Sequence, residues 1–130
     1  MREIKTIVIH HSGNTDTVEN IRKLHVETNG WDDIGYHFMI DRKGSLILGR
    51  ETEKAGAHVY GYNEDSIGVC LLGNFDKETL NEKQLKMLNW LINMLLNEFS
   101  LSKEDVKFHR DFPDVNKSCP GGNVNKDIFI

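Results

Sequence analysis

The chain has 130 residues, a length that supports one domain with a single hydrophobic core. Its apolar fraction of 38%, charged fraction of 28% and net charge of −4 are ordinary for a soluble globular protein and give no basic surface for nucleic acid. No apolar run reaches the roughly 20 residues of a membrane-spanning helix, and no signal peptide is visible, so we expect a cytoplasmic protein without a membrane partner.

The first thirty residues predict a strand followed by a helix. Residues 6–10 form a continuous β-branched and apolar run, typical of a strand covered on both faces. Either Asp16 or Thr17 can cap the helix, and Asn29 with Gly30 ends it. One helical face is predicted to carry Val18, Ile21, Leu24 and His25.

A hairpin and a long loop are predicted next. Residues 35–40 and 45–49 read as strands, and Gly44 supplies the positive φ that the turn between them requires. Residues 50–63 show no clear periodicity and are predicted to form a loop, where binding groups tend to lie.

The second half predicts the centre of the sheet and a long helix. Residues 66–73 are the most apolar strand and therefore its predicted centre. Thr79 or Asn81 can cap the helix that follows, which we expect to end near Phe99. Its predicted buried positions are Leu85, Leu88, Ile92, Leu95 and Leu96. The apolar face of the helix is predicted to be wider still, because it also includes Met87, Trp90, Leu91 and Met94.

A last short strand over residues 106–109 would bring His109 to the edge of the same sheet, and a short helix is predicted after Asn123. Strands that alternate with helices, together with one hairpin, predict an α/β fold with a mixed central β-sheet flanked by helices. We expect residues 1–130 to form a single domain and the protein to be a monomer.

Two good zinc ligands stand close together near the end of the chain. His109 and Cys119 are ten residues apart, and the loop between them is long enough to fold back on one ion. The tandem His10 and His11, at the end of the first predicted strand, can supply a third ligand. Two histidines and one cysteine would leave a tetrahedral zinc ion with one open position for water, as in hydrolytic zinc sites.

The same residues also have structural interpretations. Cys119 could form a disulfide with Cys70, although Cys70 lies in an apolar strand where a free cysteine behaves as a small hydrophobic residue. Lys117, two residues before Cys119, would favour its thiolate. His25 is predicted at the helix surface or core edge, and His37 as a packed, hydrogen-bonded strand residue.

Lys117 and Tyr36 can be interpreted as a solvated loop lysine and a half-buried strand tyrosine. Near an open zinc site, however, an ammonium or a phenol can stabilise the oxyanion of a tetrahedral intermediate.

Five motifs occur in a fixed order along the chain. They are IVIHHS at 7–12, GYHF at 35–38, AHVYGYN at 57–63, SIGVCLLG at 66–73, and HRD at 109–111 followed by KSCPG at 117–121. Together they resemble the type-2 N-acetylmuramoyl-L-alanine amidases, a family that includes amidase-type phage lysozymes and catalytic peptidoglycan recognition proteins. The resemblance runs from about residue 4 to residue 121.

The resemblance implies a zinc-dependent amidase acting on peptidoglycan, at the amide bond between the muramoyl lactyl group and L-alanine. It implies that His10, His109 and Cys119 hold Zn²⁺, which would lower the pKa of a bound water toward roughly 7. It also assigns catalytic roles to Tyr36, which would orient water or substrate, and to Lys117, which would stabilise the oxyanion.

Two further residues, His58 and Asn63, match a loop that lines the substrate groove in the family, and the resemblance therefore implies substrate binding there. The absence of a visible signal suits a phage or prophage endolysin that stays in the cytoplasm until it is released to the cell wall. A cytosolic amidase for wall recycling is a second setting.

Three other functions compete with the amidase. A non-catalytic peptidoglycan-binding protein of this family typically lacks the cysteine ligand, which this chain keeps as Cys119. A polymerase-binding regulator, by analogy with a phage relative, would use an N-terminal arm that is not seen here. A zinc deaminase would need an H-x-E motif paired with P-C-x-x-C, and the sequence has no such pair.

Overall fold

A five-stranded mixed β-sheet forms the framework of the protein in this computed structural model, which describes residues 2–14, 17–30, 34–113 and 117–128. The strands are β1 Thr6–His11, β2 Phe38–Ile40, β3 Leu46–Leu48, β4 Ser66–Leu71 and β5 Val106–Phe108. Their order across the sheet is β3-β2-β4-β1-β5. Only the β2–β3 hairpin is antiparallel among these pairs, so the expected α/β fold with a mixed central sheet is confirmed.

The two most apolar strands lie at the centre of the sheet, as the sequence predicts. All six residues of β4 are buried, and residues 7–10 of β1 are buried as well. Parallel strands covered on both faces are expected to be apolar without alternation. Because β1 runs parallel to β4 and β5, the carboxyl ends of these three strands meet at one edge of the sheet.

A helix covers each face of the sheet. The first, α1, spans Val18–Lys23 and continues as a π-helical segment, Leu24–Thr28. Thr17 caps it by accepting a hydrogen bond from the Asn20 backbone, whereas the alternative cap Asp16 lies outside the described residues. Leu24 is 49% exposed, whereas Ile21 and His25, predicted on the same helical face, are buried. The π-helical turn begins at this residue and shifts the register of the face that follows.

The second helix, α2, spans Glu82–Glu98 and begins with a capping box between Asn81 and Gln84. It packs on the opposite face of the sheet from α1 through four buried residues, Leu88, Leu91, Ile92 and Leu95. The predicted burial of Trp90 and Met94 is wrong, since they are 55% and 39% exposed. These two residues are four positions apart and therefore share the face of α2 that points away from the sheet.

The peripheral strands are shorter than their sequence patterns predict. Residues 35–37 lie outside β2, although His37 still bonds to its neighbours through the backbone, donating to the Gly68 carbonyl and accepting from Gly49. The loop after β3 folds back so that the Ala57 amide donates to the Gly35 carbonyl. Gly44 has φ +80° in the hairpin turn, as predicted.

Short 3₁₀ segments complete the described structure, at Asn63–Asp65, Lys103–Asp105, His109–Asp111 and Lys126–Ile128. The last of them agrees with the short helix predicted near the end of the chain. Among the residues that the structure describes, no helix combines the length and the apolar character needed to cross a membrane.

We expect the substitution Leu91→Ala to lower the free energy of unfolding by about 2–5 kcal/mol, because it removes apolar contacts and leaves a cavity between α2 and the sheet. Urea denaturation followed by circular dichroism measures this loss. The matched control is Asn93→Ala on the exposed side of α2, for which we expect a change within about 0.5 kcal/mol. Equal losses in the two variants would contradict the packing of α2 described here.

Candidate metal centre

The register of parallel strands brings two of the predicted ligands together. Ile9 of β1 lies opposite Phe108 of β5, so His10 on β1 and His109, the residue directly after β5, follow this pair at the same end of the sheet. The two imidazole rings lie with their centroids 4.6 Å apart.

The third predicted ligand, Cys119, reaches the same place on a loop that is tied to the sheet edge. The Arg110 backbone amide donates to the Cys119 carbonyl at 2.9 Å. The Arg110 guanidinium donates to the carbonyls of Ser118 and Gly121 at 3.1 and 2.7 Å, and it also bonds to the Val124 carbonyl. One arginine next to His109 therefore holds the chain on both sides of Cys119.

Asp76 provides a second anchor for this loop. Its carboxylate accepts hydrogen bonds from the Ser118 hydroxyl at 2.7 Å and from the Gly122 amide at 2.8 Å. These bonds lower the pKa of Asp76 below its usual value, so the anchor is a carboxylate at neutral pH. The sequence reasoning gave no role to Arg110 or Asp76. The HRD motif drew attention to Arg110, whereas no local pattern identifies Asp76.

The distances among the three residues fit a zinc ion. One nitrogen or sulfur atom from each of His10, His109 and Cys119 lies within 4.8 Å of the others. The Nδ1 atom of His10 is 3.8 Å from the Cys119 Sγ atom. Zinc–ligand bonds of about 2.0–2.1 Å to nitrogen and about 2.3 Å to sulfur place such atoms roughly 3.6 Å apart in a tetrahedron. The donor set and its spacing therefore suit Zn²⁺.

Burial keeps the imidazole ligands neutral. Desolvation, reinforced by the neighbouring His58 and His109, holds the pKa of His10 well below its ordinary value. Desolvation and the charge of Lys117 also lower the pKa of His109. Neutral imidazole has the lone pair that a metal ion needs.

For the cysteine ligand, burial disfavours the form that binds a metal ion. Burial raises the pKa of Cys119 to about 11, although the His11 amide and Lys117 both act to lower it. Lys117 thus favours the thiolate, as expected from the sequence, but its effect is smaller than that of burial. A metal ion must therefore displace the thiol proton when it binds.

Of the two predicted catalytic residues, Tyr36 lies against a ligand of this centre. The Tyr36 ring lies 5.2 Å from the His10 ring, and burial raises the pKa of Tyr36 well above its ordinary value. The phenol is therefore protonated at neutral pH, and its hydroxyl interacts with the buried Cys70 thiol. Lys117 is exposed and lies two residues before Cys119, and its charge acts to lower the pKa of both His109 and Cys119.

The two residues expected to bind substrate form contacts within the protein. His58 Nδ1 is 2.9 Å from His10 Nε2, and His58 Nε2 is 3.2 Å from the Ser66 hydroxyl. Burial lowers the pKa of His58 to about 3. The Asn63 side-chain oxygen accepts hydrogen bonds from the backbone amides of His58 and Val59 at 2.9 and 2.8 Å. Their contact with substrate stays a prediction, and sequence reasoning did not find the contact between His58 and His10.

The other histidines have structural partners. His25 is buried, and its Nδ1 atom accepts from the Gly35 amide at 2.9 Å. His37 is buried and hydrogen-bonded as predicted, with Nδ1 accepting from the Gly68 amide at 3.0 Å. His11 Nδ1 accepts from the Phe75 amide at 3.1 Å, on the opposite face from His10. Between the two tandem histidines, His10 is the one directed at Cys119 and His109.

Both cysteines are free, so the alternative of a disulfide between Cys70 and Cys119 is wrong. Cys70 is fully buried in β4, where it packs with the apolar residues beneath α1.

Comparison with known proteins gives matches over most of the chain. The family model described as N-acetylmuramoyl-L-alanine amidase matches residues 1–122. The endolysin of Enterobacteria phage K11 is 35% identical over 114 residues, which are 84% of this chain and 72% of the endolysin. Peptidoglycan-recognition protein SC1a of Drosophila melanogaster is 29% identical over 131 aligned positions, covering 93% of this chain and 70% of that protein.

A solved structure has a closely similar fold. The N-acetylmuramoyl-L-alanine amidase LysC from Clostridium intestinale superimposes with a TM-score of 0.89 at 31% sequence identity. The match covers 98% of this chain and 83% of LysC.

We expect the purified protein to bind one zinc ion. Removing an outer-shell partner of a metal ligand weakens binding by roughly 10–100-fold, and we expect Cys119→Ala, which removes a ligand itself, to weaken zinc binding by more than this. Competition with a chromophoric chelator measures the affinity. Cys70→Ala is the matched control, because it removes the other free thiol and should leave zinc affinity unchanged. Loss of zinc binding in the Cys70 variant alone would refute this ligand set.

Proposed function

The chain belongs to the N-acetylmuramoyl-L-alanine amidase family, and from this premise we propose that it is a zinc-dependent hydrolase of peptidoglycan. The bond cleaved is the amide between the muramoyl lactyl group and L-alanine. The observation that carries the proposal is the convergence of His10, His109 and Cys119, with ligand atoms within 4.8 Å of one another. Three protein ligands leave a tetrahedral zinc ion one position for water, which distinguishes catalytic from structural zinc sites.

His10, His109 and Cys119 would hold the zinc ion, which would supply Lewis acidity toward water and toward the carbonyl of the scissile amide. The protein supplies the surrounding charges and donors. Lys117, two residues before Cys119, supplies a positive charge that acts on His109 and Cys119, and in the proposal it stabilises negative charge that develops on the carbonyl oxygen. Tyr36 remains a neutral phenol with its ring next to His10, so the proposal gives it no role as an anionic base. To donate a hydrogen bond to substrate, its hydroxyl would have to exchange the Cys70 thiol for the substrate as partner.

The loop over residues 57–63 borders the centre, because His58 contacts His10 directly. We include in the proposal that this loop, with His58 and Asn63, lines the groove that receives the glycan or the stem peptide. Both nitrogens of His58 already have partners within the protein, so the loop offers substrate its backbone and its exposed side chains.

The similarity to phage endolysins supports a more specific role, that of a phage or prophage endolysin that acts on the host wall at lysis. Such a protein would stay in the cytoplasm until lysis gives it access to the wall. The similarity to peptidoglycan-recognition proteins supports the alternative of wall binding without turnover. Retention of the cysteine ligand beside two histidines favours the hydrolase.

We expect the native protein to release new L-alanine amino termini from purified peptidoglycan without producing new reducing sugar ends. Chelation should abolish the release and added zinc should restore it, while Cys119→Ala should remain inactive. Amine labelling and a reducing-sugar assay on the same digest measure the two products. A zinc-loaded native protein that binds peptidoglycan and releases no amine would show that the site serves recognition and that the catalytic proposal is wrong.

We expect Lys117→Gln to lower kcat by roughly 10²–10³-fold with zinc affinity retained, because it removes a charge that stabilises the transition state and not a metal ligand. Steady-state kinetics on peptidoglycan together with chelator competition separates these two effects. Lys86→Gln, on the exposed part of α2, is the matched control and should keep native kinetics. An unchanged kcat in Lys117→Gln would remove this residue from the mechanism.

A further inference from the structure

A line of hydrogen bonds runs from the central strand to the back of His10. Ser66 begins β4, His58 lies on the loop before it, and the His58 ring meets His10 on the side away from Cys119. We propose that Ser66 and His58 are positioning residues that fix which nitrogen of His10 carries its proton and which one faces the metal. This inference rests on the proposed role of His10 as a zinc ligand.

The Tyr62 carbonyl at the far end of this series fixes the direction of each hydrogen bond between Ser66, His58 and His10. The Ser66 hydroxyl lies 2.8 Å from the Tyr62 carbonyl, which can only accept a hydrogen bond. The single hydroxyl proton is therefore used there, and the Ser66 oxygen must accept from His58 Nε2, 3.2 Å away. A neutral imidazole with its proton on Nε2 has a lone pair on Nδ1. His58 Nδ1 consequently accepts from His10 Nε2 across 2.9 Å.

The consequence appears at the metal centre. With its proton held on Nε2, His10 carries its lone pair on Nδ1, the atom that lies 3.8 Å from Cys119 Sγ. The Tyr62 carbonyl, on the loop that precedes β4, thus determines which nitrogen of His10 can bind a metal ion. Metal-binding histidines are commonly oriented by a partner on their second nitrogen, and here that partner is another imidazole.

The His58 ring fits in its position because two of the residues packed against it are glycines. A Cβ atom added to Gly68 would lie 2.7 Å from His58 Cγ, and one added to Gly56 would lie 2.6 Å from His58 Cδ2. Two glycines therefore make the slot that receives the ring. Asn63 holds the backbone at His58 from the other end by accepting its amide. Ser66 is fully buried, so water does not compete for its bond to His58.

The first test uses the metal-free native protein labelled with ¹⁵N in its histidines. Long-range ¹H–¹⁵N correlation at neutral pH reports which nitrogen of each ring is protonated. We expect His10 to be protonated on Nε2 and bare on Nδ1, with His58 in the same tautomer. A proton on Nδ1 of His10, or averaging between its two nitrogens, would overturn the proposal without the need for any variant.

The second test compares substitutions by chelator competition for zinc. His58→Phe keeps a planar ring but removes the acceptor, and we expect roughly 10–100-fold weaker zinc binding. His58→Asn places an amide oxygen near the former Nδ1 atom and should restore most of the affinity. The control is His25→Asn, which changes a buried histidine whose Nδ1 bonds to Gly35 and should leave zinc affinity unchanged.

Equal losses in His58→Phe and His58→Asn, or no loss in either, would overturn the proposal. Ser66→Ala gives an independent answer if His58→Phe fails to fold, because it leaves His58 in place without its acceptor. We expect His10 in Ser66→Ala to average between tautomers, and an unchanged His10 tautomer in that variant would count against the relay. No amidase assay enters these tests, so absent turnover would refute the proposed function and leave this inference standing.

Discussion

The parallel pairing of β1 with β5 is the constraint on which the site depends. It makes His10 and His109 neighbours at the same edge of the sheet and on the same face. The two residues are far apart in sequence, and no local turn could hold them together. The apolar core formed by β1, β4, β5 and α2 maintains this register, so core packing and ligand geometry depend on each other. A one-residue slip of β5 would change the position of His109, which directly follows this strand, relative to His10.

The site combines a rigid sheet with a loop that requires its own anchors. His10 is buried at the end of a central strand, whereas Cys119 lies on a loop with little regular structure. Arg110 and Asp76 replace the missing secondary structure with hydrogen bonds to the residues around Cys119. Burial favours neutral imidazoles and disfavours the thiolate, so an incoming cation supplies the charge that stabilises the thiolate.

The sequence predicts the parts of this structure that depend on local pattern. Apolar runs identify the central strands, and the two candidate caps, Thr79 and Asn81, locate the start of α2 to within two residues, with Asn81 the cap in the structure. Periodicity alone overstates burial at Trp90 and Met94, because it cannot say which side of a largely apolar helix faces the sheet. The ligand residues follow from residue type and from the family resemblance. Asp76 and the partner of His10 depend on tertiary contacts that span 42 and 48 residues, and no local pattern identifies them.

Two of the motifs in the sequence form one structural unit behind the metal centre. The stretch over residues 57–63 provides His58 and its cap Asn63, and β4 provides the Ser66 hydroxyl and the open space at Gly68. This unit connects the loop proposed to line the substrate groove with a ligand of the proposed metal ion. A movement of the loop that displaced His58 would also free His10 to change its tautomer. The tautomer of His10 therefore depends on this loop staying fixed against the sheet, whether or not the loop contacts substrate.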